Sequence, residues 1–195
     1  MSQKLILPLN DARISASWKW KTKYQNTYGS IHYGQDLYGS SIIYSCGNGT
    51  VIDSGWDNTC GYIAIIRYND VVNHFDGGHY DVVARFYHMS EVLVKKGQKV
   101  TKDTCIGIIG DTGTLTDGVH LHIEFDKDVN YPYHTPTITK NSNILKAGLR
   151  GEKDTTIDPM RVLHCKTSAP DNQHIEVAND ETWVDPRDAQ IPRIQ

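Results

Sequence analysis

The chain of 195 residues is long enough for one domain with a substantial hydrophobic core and short for two. Hydrophobic residues make up 38% of it, 20 Lys and Arg stand against 23 Asp and Glu, and the net charge is −3. No basic cluster could neutralise a row of phosphates, so we expect no nucleic-acid partner. The longest apolar run, residues 62–66, is far too short to span a bilayer, which argues against membrane insertion.

Short β-branched segments that alternate apolar and polar residues predict strands. These segments are residues 41–46, 50–53, 62–68, 82–88, 105–109 and 119–125. Glycine-containing turns separate them, and helical periodicity is weak except for a short helix predicted at 159–164, with Asp158 as its cap. The pattern predicts a mainly β fold, in which antiparallel strands form a sandwich or a barrel-like sheet.

The C-terminal third differs in composition from the rest. Residues 127–157 contain several prolines and glycines and are too long for a plain connection, so they predict an elaborated surface loop. Residues 167–195 carry six acidic residues, two arginines and three prolines. They predict a peripheral or poorly ordered acidic tail that follows a single domain over residues 1–166.

The four cysteines contain no C-x-x-C pair, and we expect buried free thiols. They are Cys46, Cys60, Cys105 and Cys165. Cys46 and Cys60 flank one strand and its turn and are the one pair close enough in sequence to be a candidate disulfide.

The predicted strand at 119–125 alternates histidine or glutamate with large apolar residues. The period of two places the polar residues on one face and the apolar ones toward the core. The polar residues are His120, His122 and Glu124. Two imidazoles therefore face one space, although a solvated strand face with two surface histidines would show the same pattern. Glu124 lies one pleat beyond His122, so we expect it at the rim of a site or behind a ligand.

Two other segments could contribute to the same site. His32 and Asp36 would lie about 13 Å apart in an extended chain, so the chain must bend, as Gly34 permits, before both can bind one metal ion. Alone, this spacing is more typical of a surface turn. His88 ends its predicted strand, where alternation places it beside Phe86; alone, it would be a half-buried structural histidine.

Taken together, His32, Asp36 and His122 provide two imidazoles and one carboxylate. Such a set leaves one tetrahedral position open, which is typical of catalytic rather than structural zinc. His88 and His120 remain as acid/base groups beside it. Zinc can polarise a carbonyl and lower the pKa of water, and a histidine with a pKa of about 6.5 can move the proton.

The sequence resembles the lysostaphin-type (LytM-like) zinc endopeptidases, which cut the peptides of peptidoglycan. The motifs that carry the resemblance are H-x-G-x-D at 32–36, aromatic-x-His-Met-Ser at 86–90, G-x-T-G at 110–113 and H-L-H-x-E at 120–124. They occur in the family's order, and the likeness covers about residues 5–165. Three departures affect loop contacts rather than ligation: Phe86 replaces a frequent Tyr, Gln35 replaces an apolar residue, and one extra residue precedes His120.

The resemblance implies that His32, Asp36 and His122 bind one Zn²⁺ per chain. It also implies that His88 and His120 are the catalytic residues, with their division of labour left open. The implied fold is a mostly antiparallel β-sheet whose long loops surround a zinc groove. The implied substrate is a peptidoglycan peptide, cut either in a Gly-Gly cross-bridge or at a D-Ala link.

Other functions fit the sequence less well. A non-catalytic wall-binding or regulatory module on the same scaffold is the alternative, but such modules lose metal ligands. A biotinyl or lipoyl carrier, which residues 92–110 resemble in part, has no use for a histidine pair. A D-Ala-D-Ala carboxypeptidase needs about six residues between its His and Asp ligands.

The setting is a further expectation. Residues 1–10 contain one Lys and a short apolar stretch broken by Pro8, which does not fit a secretory signal. We therefore expect a phage or prophage lysin, cytoplasmic until lysis or carried on a virion, and monomeric. We also expect Tyr131, Tyr133 and His134 in the long loop to wall the groove and set peptide preference.

Overall fold

The computed structural model describes residues 2–20, 24–148, 153–170 and 175–179. The strands in chain order are β1 Ala12–Ala16, β2 Gln35–Gly39, β3 Ile42–Tyr44, β4 Gly49–Asp57, β5 Gly61–Val72, β6 His79–Met89, β7 Glu91–Val92, β8 Lys99–Val100, β9 Cys105–Ile108, β10 Leu121–Asp126, β11 His134–Thr135, β12 Lys146–Ala147, β13 Thr156–Ile157, β14 Cys165–Pro170 and β15 Ile175–Asn179. Helical structure comprises a short helix α1, Tyr24–Tyr28, and a 3-10 turn, Pro159–Arg161. No helix in these ranges has the length and apolar character needed to cross a membrane.

One large sheet organises the molecule. Its strand order is β14-β15-β1-β2-β10-β6-β5-β4-β8, and β13 pairs with β10 beside this path. The path is open at both ends within the described residues, so the sheet is not a closed barrel. A second sheet, β3-β9-β7, contributes to the main core, and β11 and β12 form a short parallel pair. The predicted mainly antiparallel β fold is confirmed.

The longest apolar run in the sequence lies in β5, an interior strand of the large sheet. Ala64 and Ile66 belong to the main core, whereas Ile63 and Ile65 belong to a second cluster. Because alternate residues point to opposite faces of a sheet, both faces of β5 are covered. A strand buried on both faces requires apolar residues at successive positions, so the usual alternation is lost here.

The long segment 127–157 is the cover of the second face. Its residues Ile138 and Leu145 are buried against Ile63 and Tyr87, in a cluster separate from the main core. The expectation of a surface loop is therefore wrong in part: the segment runs over the surface of the sheet but completes a hydrophobic layer. Replacing it with a flexible linker would expose that layer, so the segment is needed for stability.

The predicted acidic tail begins inside a strand. Residues 167–170 of β14 and residues 175–179 of β15 pair in antiparallel fashion, and β15 also pairs with β1. These strands lie at one end of the large sheet, and the register of their pairing shifts between Thr167 and Pro170. The rest of the tail, residues 171–174 and 180–195, lies outside the described residues. The domain boundary after residue 166 stays a prediction.

The short predicted helix is smaller than expected. The Asp158 side chain caps it by accepting a hydrogen bond from the Met160 backbone N–H at 3.0 Å, as predicted. The helical turn nevertheless ends at Arg161 because the following backbone is used elsewhere: the His164 N–H donates to the Leu5 carbonyl, and β14 begins directly afterwards.

The cysteines are free thiols, as expected, and the candidate disulfide does not form. Cys46 lies in the main core and Cys60 in the second cluster, so the sheet separates the two side chains. Burial raises the pKa of both thiols above their ordinary value. Cys105 departs from the expectation because it is only half-buried.

A buried carboxylate fastens the long segment to the sheet. Asp57, at the end of β4, accepts hydrogen bonds from the backbone N–H groups of Thr59 and Cys60 in its own turn. It also accepts from the N–H groups of Ile144 and Leu145, at 3.1 and 3.0 Å. Burial alone would raise its pKa, but these donors lower it below the ordinary value. One side chain therefore joins two chain segments more than eighty residues apart.

We expect Asp57→Ala to lower the free energy of unfolding by about 3 kcal/mol, because four N–H groups would lose their acceptor. Chemical denaturation at neutral pH measures this. The matched control is Asp103→Ala at an exposed position, which should change stability by less than about 0.5 kcal/mol. Equal effects of the two substitutions would contradict the role assigned to Asp57.

Candidate active site

Two neighbouring strands bring together the first two candidate ligands. In the antiparallel pairing of β2 with β10, Asp36 lies directly opposite His122. The Asp36 Oδ1 atom is 2.8 Å from His122 Nδ1. Leu121 and Ile123 face the main core, so His122 points to the other side of the sheet, as the alternation in the sequence predicted.

The third candidate ligand comes from the segment just before β2. His32 Nε2 lies 3.1 Å from Asp36 Oδ1 and 3.1 Å from His122 Nδ1. The chain between His32 and β2 bends as expected, but Gly34 is required for another reason. A Cβ atom at position 34 would overlap the His122 imidazole, so the glycine permits the close approach of the ring.

The three ligand atoms form a compact triangle. Their separations of 2.8 to 3.1 Å approach the spacing of about 3.3 Å expected for neighbouring nitrogen and oxygen ligands around a tetrahedral zinc ion. All three side chains are buried. Two imidazoles and one carboxylate are a donor set that zinc accepts, so the residues present fit that metal.

Each ligand imidazole is held through its other nitrogen. His32 Nδ1 lies 3.0 Å from the carbonyl oxygen of Ser17, which follows β1. His122 Nε2 lies 3.4 Å from Glu124 Oε1. When these nitrogens carry the protons, His32 Nε2 and His122 Nδ1 keep the lone pairs that a metal ion requires.

Glu124 is fully buried and lies behind the site. The sequence left open a position at the rim of the site or behind a ligand, and the position at the rim is wrong. The Glu124 carboxylate accepts hydrogen bonds from Tyr87, Thr135 and Thr137 and pairs with Arg85 Nη1 at 3.3 Å. Burial would raise its pKa, but His122 and the Arg85 charge outweigh that effect and lower the pKa to about 2. The carboxylate is therefore ionised and available to His122 at neutral pH.

Arg85 is a residue of the candidate site that the sequence reasoning missed. It is fully buried in β6, where it pairs with Asp126 at 3.1 Å as well as with Glu124, and donates to the Pro132 carbonyl. A charge inside an otherwise apolar strand must be paired when buried, and that requirement was a usable signal. The threonine partners of Glu124 carried no signal, because they come from the distant segment 127–157.

His88 reaches the site through an irregularity in β6. Tyr62 pairs with Met89, but Ala64 pairs with Phe86, so β6 contains one extra residue at this point. His88 occupies the left-handed region with φ of 64°. The expectation that alternation places His88 beside Phe86 is therefore wrong: Phe86 is in the main core, and His88 faces the opposite side with the other histidines.

The two remaining histidines lie side by side next to the ligand triangle. The ring centroids of His88 and His120 are 5.0 Å apart, and that of His88 is 6.1 Å from His122. His120 Nε2 is 3.6 Å from Asp36 Oδ1. Their Nδ1 atoms lie within hydrogen-bond distance of the Thr112 and Gly118 carbonyls, at 2.9 and 2.7 Å. In both rings, Nε2 therefore remains available.

The pKa values of His88 and His122 are shifted in opposite directions. Burial, helped by the nearby His122, lowers the pKa of His88 to about 4, so its imidazole is neutral at pH 7. Burial also opposes charge on His122, but hydrogen bonds to Asp36 and Glu124 outweigh it and raise that pKa to about 9. Hydrogen bonds from the two ligand histidines hold the pKa of Asp36 well below its ordinary value, despite its burial. A bound cation would take the place of the His122 proton.

The four histidines and the aspartate of the candidate site all line one groove of about 730 Å³. One wall is residues 27–33 and the other is residues 114–119. The walls expose apolar side chains, among them Ile31, Leu115 and Val119, and a hydrogen bond of 2.5 Å from Tyr28 Oη to Asp117 joins them. A concave site with apolar walls and a few convergent polar groups is the usual form of a ligand-binding cleft.

The expected contribution of the long segment to this groove is wrong. Of residues 127–157, only Thr137 is among the described residues that line the groove. Tyr131, Tyr133 and His134 lie elsewhere, and the Tyr133 hydroxyl donates to Asp53 on β4. The segment contacts the site through Thr135 and Thr137, whose hydroxyls donate hydrogen bonds to Glu124.

Comparison with known proteins gives a consistent result. Peptidoglycan DD-endopeptidase ShyA of Vibrio cholerae is 37% identical over 82 residues, which are 42% of this chain and 16% of that protein. The DD-endopeptidase ShyC of the same organism is 30% identical over 122 residues, 60% of this chain and 25% of that protein. The similarity thus spans a quarter or less of the length of these relatives.

Among solved structures, a zinc-containing peptidase from Vibrio cholerae superimposes with a TM-score of 0.51 and 29% identity over 64% of this chain and 37% of that one. The model of Peptidase family M23 matches residues 30–134, a span that contains all five residues of the site. Because this match covers more than half of the chain, and the fold agrees, the resemblance inferred from the motifs is confirmed: the chain belongs to Peptidase family M23.

Proposed function

We propose that the protein is a zinc-dependent endopeptidase that hydrolyses peptide bonds in the stem peptides or cross-bridges of peptidoglycan. The observation that carries this proposal is the convergence of four imidazoles and one carboxylate at one side of an open groove. In each imidazole, a carbonyl or carboxylate binds one nitrogen and leaves the other directed at the same space. The names of the Vibrio cholerae relatives support peptidoglycan as the substrate.

His32, Asp36 and His122 would hold the zinc ion, through Nε2, Oδ1 and Nδ1. Bound zinc supplies Lewis acidity, which polarises a carbonyl and makes water more acidic. The buried Glu124 keeps His122 in the required tautomer, and the charge of Arg85 keeps Glu124 ionised. These residues fix the ligand atoms before the metal arrives, so little reorganisation accompanies binding.

His88 and His120 would move the proton and stabilise the developing oxyanion. Each presents Nε2 to the groove, and His88 is neutral at pH 7, so it can accept a proton. A protonated imidazole can then donate to the leaving amine or to the oxyanion. A non-catalytic wall-binding module would have no use for two further histidines held in defined tautomers beside a complete ligand set. The phage-type setting, the location and the monomeric state stay predictions.

The direct test is digestion of purified peptidoglycan by the zinc-loaded protein, followed by mass spectrometry of the released peptides. We expect products with a new amine and a new carboxyl group at one type of peptide bond, and none after chelation of zinc. Intact glycan strands with uncut peptides would contradict the proposal. Comparing walls with glycine cross-bridges and walls with direct D-Ala links identifies the scissile bond.

Substitutions should separate ligands from catalytic residues. His122→Ala should lose most of its zinc, since one of three ligands is gone. His88→Ala and His120→Ala should keep one zinc per chain while turnover falls by about 10²- to 10⁴-fold. His134→Ala, outside the groove, is the matched control and should retain both. Elemental analysis and the digestion assay measure the two effects. Full zinc occupancy in His122→Ala would contradict its assignment as a ligand, and parental turnover in His88→Ala would contradict its assignment as a catalytic residue.

Glu124→Gln should weaken zinc binding by about 10- to 100-fold, because a neutral amide is a poorer partner for His122 and leaves Arg85 with one carboxylate. Competition with a chromophoric chelator gives the affinity. Glu91→Gln, at an exposed position, is the matched control. If both variants bind zinc within two-fold of the parent, Glu124 does not act on the metal site.

Zinc binding should release about one proton per site at pH 7.5. His122 has a pKa of about 9 without metal, so it is protonated at this pH and must lose the Nδ1 proton to bind zinc. Affinity should therefore rise about ten-fold per pH unit between pH 6.5 and 8 and level off above pH 9. Calorimetry in buffers of different ionisation enthalpy counts the protons. An affinity independent of pH over this range would contradict the charge state assigned to His122.

A further inference from the structure

The left-handed conformation of His88 needs an explanation, because a non-glycine residue adopts it only when its surroundings hold it there. The His88 N–H donates to the Cys60 carbonyl at 2.9 Å, which fixes the backbone on the β5 side. This contact does not determine how the imidazole is rotated or which nitrogen carries its proton. Those properties depend on the turn that follows β9.

Thr112 lies in that turn and makes four hydrogen bonds around His88, of which the weakest is from its own N–H to the His88 carbonyl at 3.4 Å. Its carbonyl oxygen is 2.9 Å from His88 Nδ1. Its hydroxyl donates to the Met89 carbonyl at 2.6 Å and accepts from the Tyr62 N–H at 3.0 Å. The hydroxyl therefore joins the turn to β6 directly after His88 and to β5 at the residue that pairs with Met89.

Two glycines allow the turn to come this close. Gly61 and Gly113 both have positive φ, and a Cβ atom on either would overlap backbone atoms of the opposite segment. At Gly61, the overlap would be with Thr112 itself. The turn thus approaches the sheet more closely than side chains would permit. The Thr114 N–H holds it to the Thr59 carbonyl at 2.8 Å, and the Thr112 hydroxyl is the side-chain group that fastens it directly beside His88.

We propose that Thr112 is a positioning residue for His88: its hydroxyl anchors the turn so that its carbonyl holds the proton on His88 Nδ1 and leaves Nε2 facing the groove. The inference rests on the proposed function, since it assigns His88 a role in proton transfer. Thr112 lines neither the ligand triangle nor the groove in the described structure. It acts on the reaction only through His88.

A comparison of Thr112→Val and Thr112→Ser tests the proposal. Valine has the shape of threonine without the hydroxyl, whereas serine keeps the hydroxyl. The matched control is Thr50→Val, which removes a hydroxyl that accepts a hydrogen bond from Lys99 near the surface, at the start of β4. For each variant we would measure the melting temperature, the zinc content, kcat and KM on one peptidoglycan peptide, and the His88 tautomer by ¹⁵N NMR.

We expect Thr112→Val to keep its zinc and its KM while kcat falls by about ten-fold, because a base with a mobile tautomer spends less time in the productive form. The His88 resonances should change from one tautomer with the proton on Nδ1 to a mixture. Thr112→Ser should restore both properties to within about two-fold of the parent, and Thr50→Val should match the parent.

Two results would overturn the proposal: an unchanged tautomer and kcat in Thr112→Val, or an equal loss in Thr112→Ser. If Thr112→Val does not fold, the serine variant still decides, because the proposal requires it to keep the parental tautomer. The NMR measurement does not depend on catalysis. If the parent protein cleaves no peptidoglycan but Thr112→Val still shows the expected change of the His88 tautomer, the proposed function is overturned and the role of Thr112 stands.

Discussion

The pairing register of β2 with β10 is the constraint on which the site depends. It sets Asp36 opposite His122, with both side chains on the face away from the main core. A shift of one residue would turn His122 into the core and Leu121 out of it. The burial of Leu121, Ile123 and Phe125 therefore also fixes the position of the candidate ligands. The hydrophobic core and the candidate metal site are therefore on two faces of the same strand pairing.

A layer of buried polar groups separates that site from the segment that covers it. Glu124 is bound by His122 on one side and by Arg85, Tyr87 and Thr135 on the other. A buried carboxylate is costly unless such partners are present, and here they belong to three different parts of the chain. The segment 127–157 thus supports the buried carboxylate behind the site, and of its described residues only Thr137 lines the groove, which is a different role from that of a substrate-binding loop.

The sequence predicted the parts of this arrangement that follow from local periodicity. Alternation in β10 predicted which face of the strand carries His122, and the short alternating segments predicted a mainly β fold. It did not predict the positions that depend on contacts distant in sequence. His88 faces the groove because β6 contains one residue more than β5 at this point of their pairing. Part of the long segment is buried because β5 is apolar on both faces. Cys46 and Cys60 are close in sequence, but the sheet lies between them.

X-ray absorption spectroscopy of the zinc-loaded protein tests the central claim, that His32, Asp36 and His122 together hold one metal ion. We expect only nitrogen and oxygen neighbours at about 2.0 to 2.2 Å, with the outer-shell scattering of two imidazoles. We expect no sulfur neighbour, although the chain has four free cysteines. A sulfur shell near about 2.3 Å, or scattering from fewer than two imidazoles, would contradict the assignment of the site.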